Sequence, residues 1–186
     1  LARLKNWMAQ PDPRKVHTTP TPDIGGVALL VGIITALLLA WQMDRFGPLF
    51  DGSSEMLGVA IAAIAICAIG FIDDIREISA PAKVAGTAGV GMVLVWAGVT
   101  MFYFRVPYFD VFVLSNDWIP LVTILWLLVM TEAINLIDGL DGLATGIVAI
   151  ASAAFFLYSR HLGDLGLLAE PNIGPLVAAV TFGACI

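Results

Sequence analysis

"WIPLVTILWLLVMTEAINLIDGLDGLATG", residues 118–146, opens with thirteen residues that carry no charge and closes on acids and glycines. A second oily run, "IVAIASAAFFLY" (147–158), follows at once. A helix would carry the first run across a hydrocarbon layer, and the polar stretch would then lie where the chain turns. Glu132, Asn135, Asp138 and Asp141 recur at every third residue, so the first three spread over about 120° of one helix side. Glu132 and Asn135 fall inside or at the rim of the apolar run. An ionisable group there costs several kcal/mol and is a functional candidate by default.

The rest of the chain supports a membrane reading. Its 186 residues are 59% hydrophobic and 13% charged, with a mean hydropathy of +0.92. A soluble domain is nearer 45–50% apolar and about 25% charged. The excess is gathered into blocks of roughly 15–20 residues, the length a spanning helix needs. A membrane barrel would show short alternating segments instead. The expected fold is therefore all-α, a polytopic transmembrane helix bundle with about five to six spans. The net charge of −6 resides in a few short acidic loops, and no nucleic-acid partner is expected. Cys67 and Cys185 sit in apolar runs and read as small hydrophobes. No cleavable signal peptide is visible. With Leu1 at the start and the short run "GPLVAAVTFGACI" at the end, residues 1–186 are expected to be one membrane-embedded domain incomplete at both ends.

Residues 1–24 read as a polar loop, since Pro11, Pro13, Pro20 and Pro22 preclude a continuous helix. Apolar segments follow at about 25–41, 56–72, 84–103, 118–137 and 143–158, with a last run from near Gly174. Between the Pro-rich loop, "DDIRE" (73–77) and "DGLDG" (138–142) the chain crosses twice each time, so all three stretches share a face. That face carries Arg3, Lys5, Arg14, Lys15, Arg76 and Lys83, against Arg45, Arg105 and Arg160 on the other. The positive-inside rule then places the three polar loops in the cytoplasm. Gly142/Gly146 and the "GTAGVG" run at 86–91 would permit close helix packing. His161 reads as a surface residue of an outer loop.

Chemistry is concentrated in the three loops. If helix continues through Glu77, Asp73 and Glu77 share a face and Asp74 lies about 100° round. Grouped carboxylates repel unless a cation or protons intervene, and hard oxygens at a membrane surface suit Mg²⁺ with phosphates completing its shell. The plainer alternative is a solvated helix end whose acids are neutralised by Arg76 and Lys83. "DGLDG" is either a glycine turn with two solvated aspartates or a place where backbone N–H groups approach a magnesium-bound diphosphate. In the first loop, Arg14, Lys15 and His17 stand beside Thr19, Thr21 and Gly25–Gly26. They could meet phosphate oxygens or serve only as topology and lipid contacts.

Taken together, "RKVHTTPTPDIGG" (14–26), "GFIDDIRE" (70–77) followed by Lys83, and "AINLIDGLDGLATG" (133–146) resemble the polyprenyl-phosphate N-acetylhexosamine-1-phosphate transferases. These are the WecA/TagO-like group of glycosyltransferase family 4, and the phospho-MurNAc-pentapeptide translocase is a cousin. The resemblance covers nearly the whole chain. It implies a multi-pass enzyme of the bacterial cytoplasmic (inner) membrane with its catalytic loops on the cytoplasmic face. Such an enzyme transfers a sugar-1-phosphate, GlcNAc-1-phosphate foremost, from a UDP-sugar to polyprenyl phosphate and releases UMP. It would thereby initiate a cell-envelope polysaccharide such as O-antigen or teichoic acid, with Mg²⁺ or Mn²⁺ as cofactor. Its partners would be both substrates, membrane lipids and, in some members, a second copy of the chain.

By the same resemblance Asp73, Asp74 and Asp138 are the catalytic residues, Asp73 deprotonating or orienting the lipid phosphate. Asp74 and Asp138 would hold the metal. Asn135 and Asp141 would face the nucleotide, while Lys15, His17 and Lys83 would contact phosphate. The chain departs from the family pattern at Glu132, Asp23 and Thr87, where asparagine, a basic residue and glutamine are common. Those departures leave the reaction class intact and the donor sugar open. The family's later aspartate motif and histidine-bearing loop would lie beyond Ile186.

Other classes fit less well. A membrane prenyltransferase would space its Asn and Asp residues with three intervening positions, where Asn135, Asp138 and Asp141 have two. A CDP-alcohol phosphotransferase would need an arginine that "DGLATG" lacks. An ion-coupled transporter relaying through Glu132 and Asp138 would need polar groups in mid-span elsewhere, and the first three segments offer almost none.

Overall fold

The computed structural model describes residues 8–9, 21–22, 25–76, 78–105, 111–138, 142–168 and 171–186. Six apolar helices appear where apolar segments were expected. They are α1 (Gly25–Trp41), α3 (Glu55–Arg76), α4 (Ala80–Trp96), α5 (Trp118–Ile137), α6 (Leu143–Asp164) and α7 (Gly174–Ala184). A short α2 (Gly47–Asp51) follows a 3₁₀ turn at Asp44–Phe46. By length and hydropathy α3, α5 and α6 can cross a membrane. A fourth span results if α1 is counted together with Asp44–Asp51, which bends away from it by 94°. α4 and α7 are apolar but shorter. The fold is all-α and polytopic, as expected, and fewer of its helices reach spanning length than the sequence suggests.

Helix ends differ from expectation in α3, α4 and α6, the last running six residues past Tyr158 to Asp164. α3 continues through Asp73, Asp74 and Arg76, because a helix's backbone ladder does not stop at the first charge. α4 starts four residues earlier than Val84, behind Ser79 and with Pro81 in its first turn, where a missing N–H costs nothing. It ends seven residues before Tyr103. Gly98 adopts φ +94, and the Gly98 and Val99 amides fold back onto the carbonyls of Val95 and Leu94. The polar stretch after it carries a hairpin, β3 (Tyr103–Arg105) paired antiparallel with β4 (Val111–Val113). Near the N-terminus β1 (Met8–Ala9) pairs antiparallel with β2 (Thr21–Pro22).

The chain forms two compact units, Ser53–Ala133 and Leu1–Gly52 with Ile134–Ile186. In the first, α3 and α4 form an antiparallel helical hairpin. At its closed end lie Ile78 and Ser79. At the other end the Ser54 hydroxyl donates to the Ala97 carbonyl at 2.9 Å, and Gly58 lies directly against Ala97. The "GTAGVG" glycines serve packing as expected: a Cβ on Gly86 would meet Ile69 of α3 at 3.1 Å, and one on Gly91 would meet Ile124 of α5 at 3.0 Å. Between them Thr87 is 1% exposed. The Thr123 hydroxyl joins the hairpin region to α5. It accepts from the Met101 amide at 2.9 Å and donates to the Ile119 carbonyl at 2.7 Å.

In the second unit α7 packs on α6 and α1, with Gly32 admitting Ala184 at van der Waals distance. Asn172 Oδ1 accepts from the Gly174 amide at 2.8 Å and starts α7. Gly142 and Gly146, expected to allow close packing, have open space where a Cβ would stand. Gly142 instead takes φ +77 and begins α6. Few side chains are buried in either unit, while Trp96 is 90% and Leu136 84% exposed. Apolar surface of that extent suits a bilayer rather than water.

Candidate functional site

Asp73 is the best-defined polar residue of the chain. It stands on the last turn of α3, half-buried, and both its oxygens are engaged. Oδ1 accepts from the Ile78 amide at 3.0 Å, and Oδ2 lies 3.1 Å from Lys83 Nζ. The carboxylate therefore ties Ile78 to the first turn of α4. Lys83 needs such a partner. It sits near the positive end of a helix, where a cation is disfavoured and an adjacent anion offsets the penalty. Asp74, next along α3, is exposed and takes part in an interaction of its own. Arg76 ends the helix, also exposed.

The acidic end of α5 belongs to the other unit from Ile134 onward. Glu132, at the end of the first unit, is half-buried, and Asn135 and Asp138 are exposed. The Asp138 amide closes the last helical turn on the Ile134 carbonyl at 3.1 Å. Helix thus persists to the edge of "DGLDG", and Gly142, with a left-handed backbone, caps the start of α6. Of the residues singled out from sequence, Asp73, Asp74, Lys83, Asn135 and Asp138 are placed at helix ends. Lys15, His17, Glu77 and Asp141 lie outside the described residues. His161 is exposed, as expected, but it stands in the last turn of α6 rather than in a loop, because helix continues past the apolar run. Both cysteines are free thiols.

Sequence left two readings of these acids open, a cation site or a helix end neutralised by Arg76 and Lys83, and for Asp73 the lysine pairing is found. The signal was present, because ten residues joining two helices through a short turn bring positions 73 and 83 to the same end of a hairpin.

The fit of a divalent cation depends on these donors. Among the described residues no three His, Cys, Asp or Glu side chains gather into a ligand set. Asp73 accepts from one nitrogen donor on each oxygen, the Ile78 amide and the Lys83 ammonium group. Asp74 and Asp138 are exposed carboxylates at helix ends, hard oxygen donors of the kind Mg²⁺ accepts one or two at a time.

The fold and site are those of a polytopic helical membrane protein with acids and a paired lysine at its helix ends. Comparison makes this specific: the chain belongs to glycosyl transferase family 4, whose model matches residues 56–185. It is 35% identical over 193 residues to the decaprenyl-phosphate N-acetylglucosaminephosphotransferase of Mycobacterium leprae, covering 100% of this chain and 48% of that protein. It is 33% identical over 175 residues to the probable undecaprenyl-phosphate N-acetylglucosaminyl 1-phosphate transferase of Bacillus subtilis, covering 94% and 46%. The phospho-N-acetylmuramoyl-pentapeptide-transferase of Mycolicibacterium vanbaalenii is 30% identical over 200 residues, covering 89% and 54%. The chain spans about half the length of these curated relatives. No solved structure matches it.

Proposed function

We propose that this chain carries the acidic helix ends of a UDP-sugar:polyprenyl-phosphate sugar-1-phosphate transferase, with UDP-N-acetylglucosamine as donor. The observation that carries the reading is the alignment of the entire chain with an enzyme named for transfer of N-acetylglucosamine phosphate to a polyprenyl phosphate. In the reaction an oxygen of the lipid phosphate forms a bond to the sugar-bearing phosphorus. The bond from that phosphorus to the bridging oxygen breaks, and UMP leaves with the electron pair. The acceptor's tail is confined to the bilayer and the nucleotide to water. A site at the cytosolic boundary of the inner membrane holds both and removes much of the entropic barrier.

The residues divide this work by position. Lys83, held by Asp73, offers a fixed positive charge to a phosphate arriving at the α3–α4 turn. Asp74 and Asp138 are the donors for Mg²⁺ or Mn²⁺, which when bound screens the two phosphates and stabilises charge on UMP. Asn135 and Asp141 are assigned to the nucleotide side, and Lys15 and His17 to phosphate. Two crossings between successive polar loops would bring these groups to one face.

The test is exchange of labelled UMP into UDP-N-acetylglucosamine by the whole protein with Mg²⁺ and a polyprenyl phosphate. Asp138→Asn should slow exchange by on the order of 10²-fold or more, as loss of a charge-stabilising group does. Exchange at the wild-type rate in both Asp74→Asn and Asp138→Asn would remove these residues from the mechanism.

A further inference from the structure

We infer that Asp73 is a positioning residue whose carboxylate acts through Lys83, fixing the ammonium group and the α3–α4 turn rather than taking a proton from substrate. Two contacts carry this. Oδ2 is paired with Lys83 Nζ at 3.1 Å, and Oδ1 is held by the Ile78 amide at 3.0 Å. The side chains of Lys83 and Asp73 are 21% and 27% exposed, so the pair is neither sealed from water nor fully dissolved in it. Two fixed points on one carboxylate also define its plane, and with it the direction from which Lys83 approaches. A donor on each oxygen fixes the carboxylate's orientation, as a positioning group requires, and leaves further lone pairs on the same oxygens. Asp74, one residue on, faces outward instead. Its role is therefore separable from that of its neighbour.

The inference rests on the transferase reading for its kinetic consequence, but not for its chemical one. Lys83 acylation by an amine-reactive ester, followed by mass spectrometry of the purified protein, reads the pairing directly. Asp73→Asn should raise the Lys83 rate about two- to five-fold, the range a partly exposed ion pair supports. Asp73→Glu, which keeps a carboxylate within reach, should restore slow labelling, and Asp74→Asn should leave the rate unchanged. Equal Lys83 reactivity in wild type, Asp73→Asn and Asp73→Glu overturns the inference. Should Asp73→Asn not fold, variants of the partner serve: Lys83→Arg, which keeps a cation within reach of Oδ2, should hold the wild-type thermal stability, and Lys83→Gln should lower it. Equal stability in these two variants would also overturn it.

In the exchange assay Asp73→Asn should cost much activity in the wild-type background and almost none when Lys83 is already Gln. A full additional loss in the double variant would show that Asp73 acts on substrate directly. Absence of exchange in the wild-type protein would defeat the transferase reading, and the labelling result would stand by itself.

Discussion

Single side chains decide more here than their number suggests, because so few polar groups lie within the helices. Thr123 is one. Its hydroxyl accepts from the Met101 amide and donates to the Ile119 carbonyl, so it satisfies a loop N–H that has no ladder partner. Thr123→Val keeps the shape and the β-branch but removes the acceptor. Leaving that amide unpaired should cost about 1–3 kcal/mol, seen as a lower unfolding midpoint in detergent. Thr123→Ser should lose much less. Nothing in the sequence marks this residue, since a threonine in an apolar run reads as filler until its partner is known. Asp73 and Lys83 were legible as important, and their pairing was open. A motif names which groups are charged, while the folding back of α4 on α3 decides which charges meet. Asp138 was legible both as a candidate and as a helix end, because it stands where the apolar run of α5 stops.

Among the elements, hydropathy located every long helix and misjudged those ends where composition and hydrogen bonding disagree. α1 and α5 begin and end where their apolar runs do. α3 runs past its run because Asp73 to Arg76 tolerate helix, and α4 stops inside its run because Gly98 turns left-handed while the apolar residues continue. The β3–β4 hairpin was read as loop, although "FYF" and "VFV" on either side of Pro107 are the β-branched and aromatic runs that form strands. Packing between α3 and the end of α4 relies on Gly58 facing Ala97, where a Cβ on the glycine would overlap the alanine methyl. Gly58→Ala gains about 1 kcal/mol of helix propensity. Overpacking costs about 1–3 kcal/mol, so the net effect should be a loss of stability. Moving the methyl, with Gly58→Ala and Ala97→Gly together, should recover most of it. A thermal-shift series on the two single variants and the double would decide whether the contact limits the approach of these helices.

For the molecule as a whole, the informative comparison is between helix length and membrane thickness. α3, with 22 residues, is about 33 Å long and exceeds a hydrocarbon core of about 30 Å. α4, with 17, is about 25 Å and falls short. A hairpin of unequal arms can cross only if the short arm begins below the headgroups or the bilayer thins around it, at a modest cost per ångström. Lys83 eases this, since its long stem lets an ammonium group reach the interface from within the apolar zone. The Asp73–Lys83 pair then lies at the boundary of water and lipid, where an anionic lipid headgroup also lies. This threading has a consequence for sidedness. In a protein whose Cys67 and Cys185 are replaced by alanine, a cysteine at Ser79 should react with a membrane-impermeant maleimide from the cytosolic side only. One at Asn116, beyond the far end of α4, should react from the opposite side. α5 returns with 20 residues, about 30 Å, enough for one crossing, so a cysteine at Asp138 should label with Ser79. If Ser79 and Asn116 label from the same side, α4 does not cross. The crossing count that gathers the acidic helix ends on one face then fails, and the shared phosphate site fails with it.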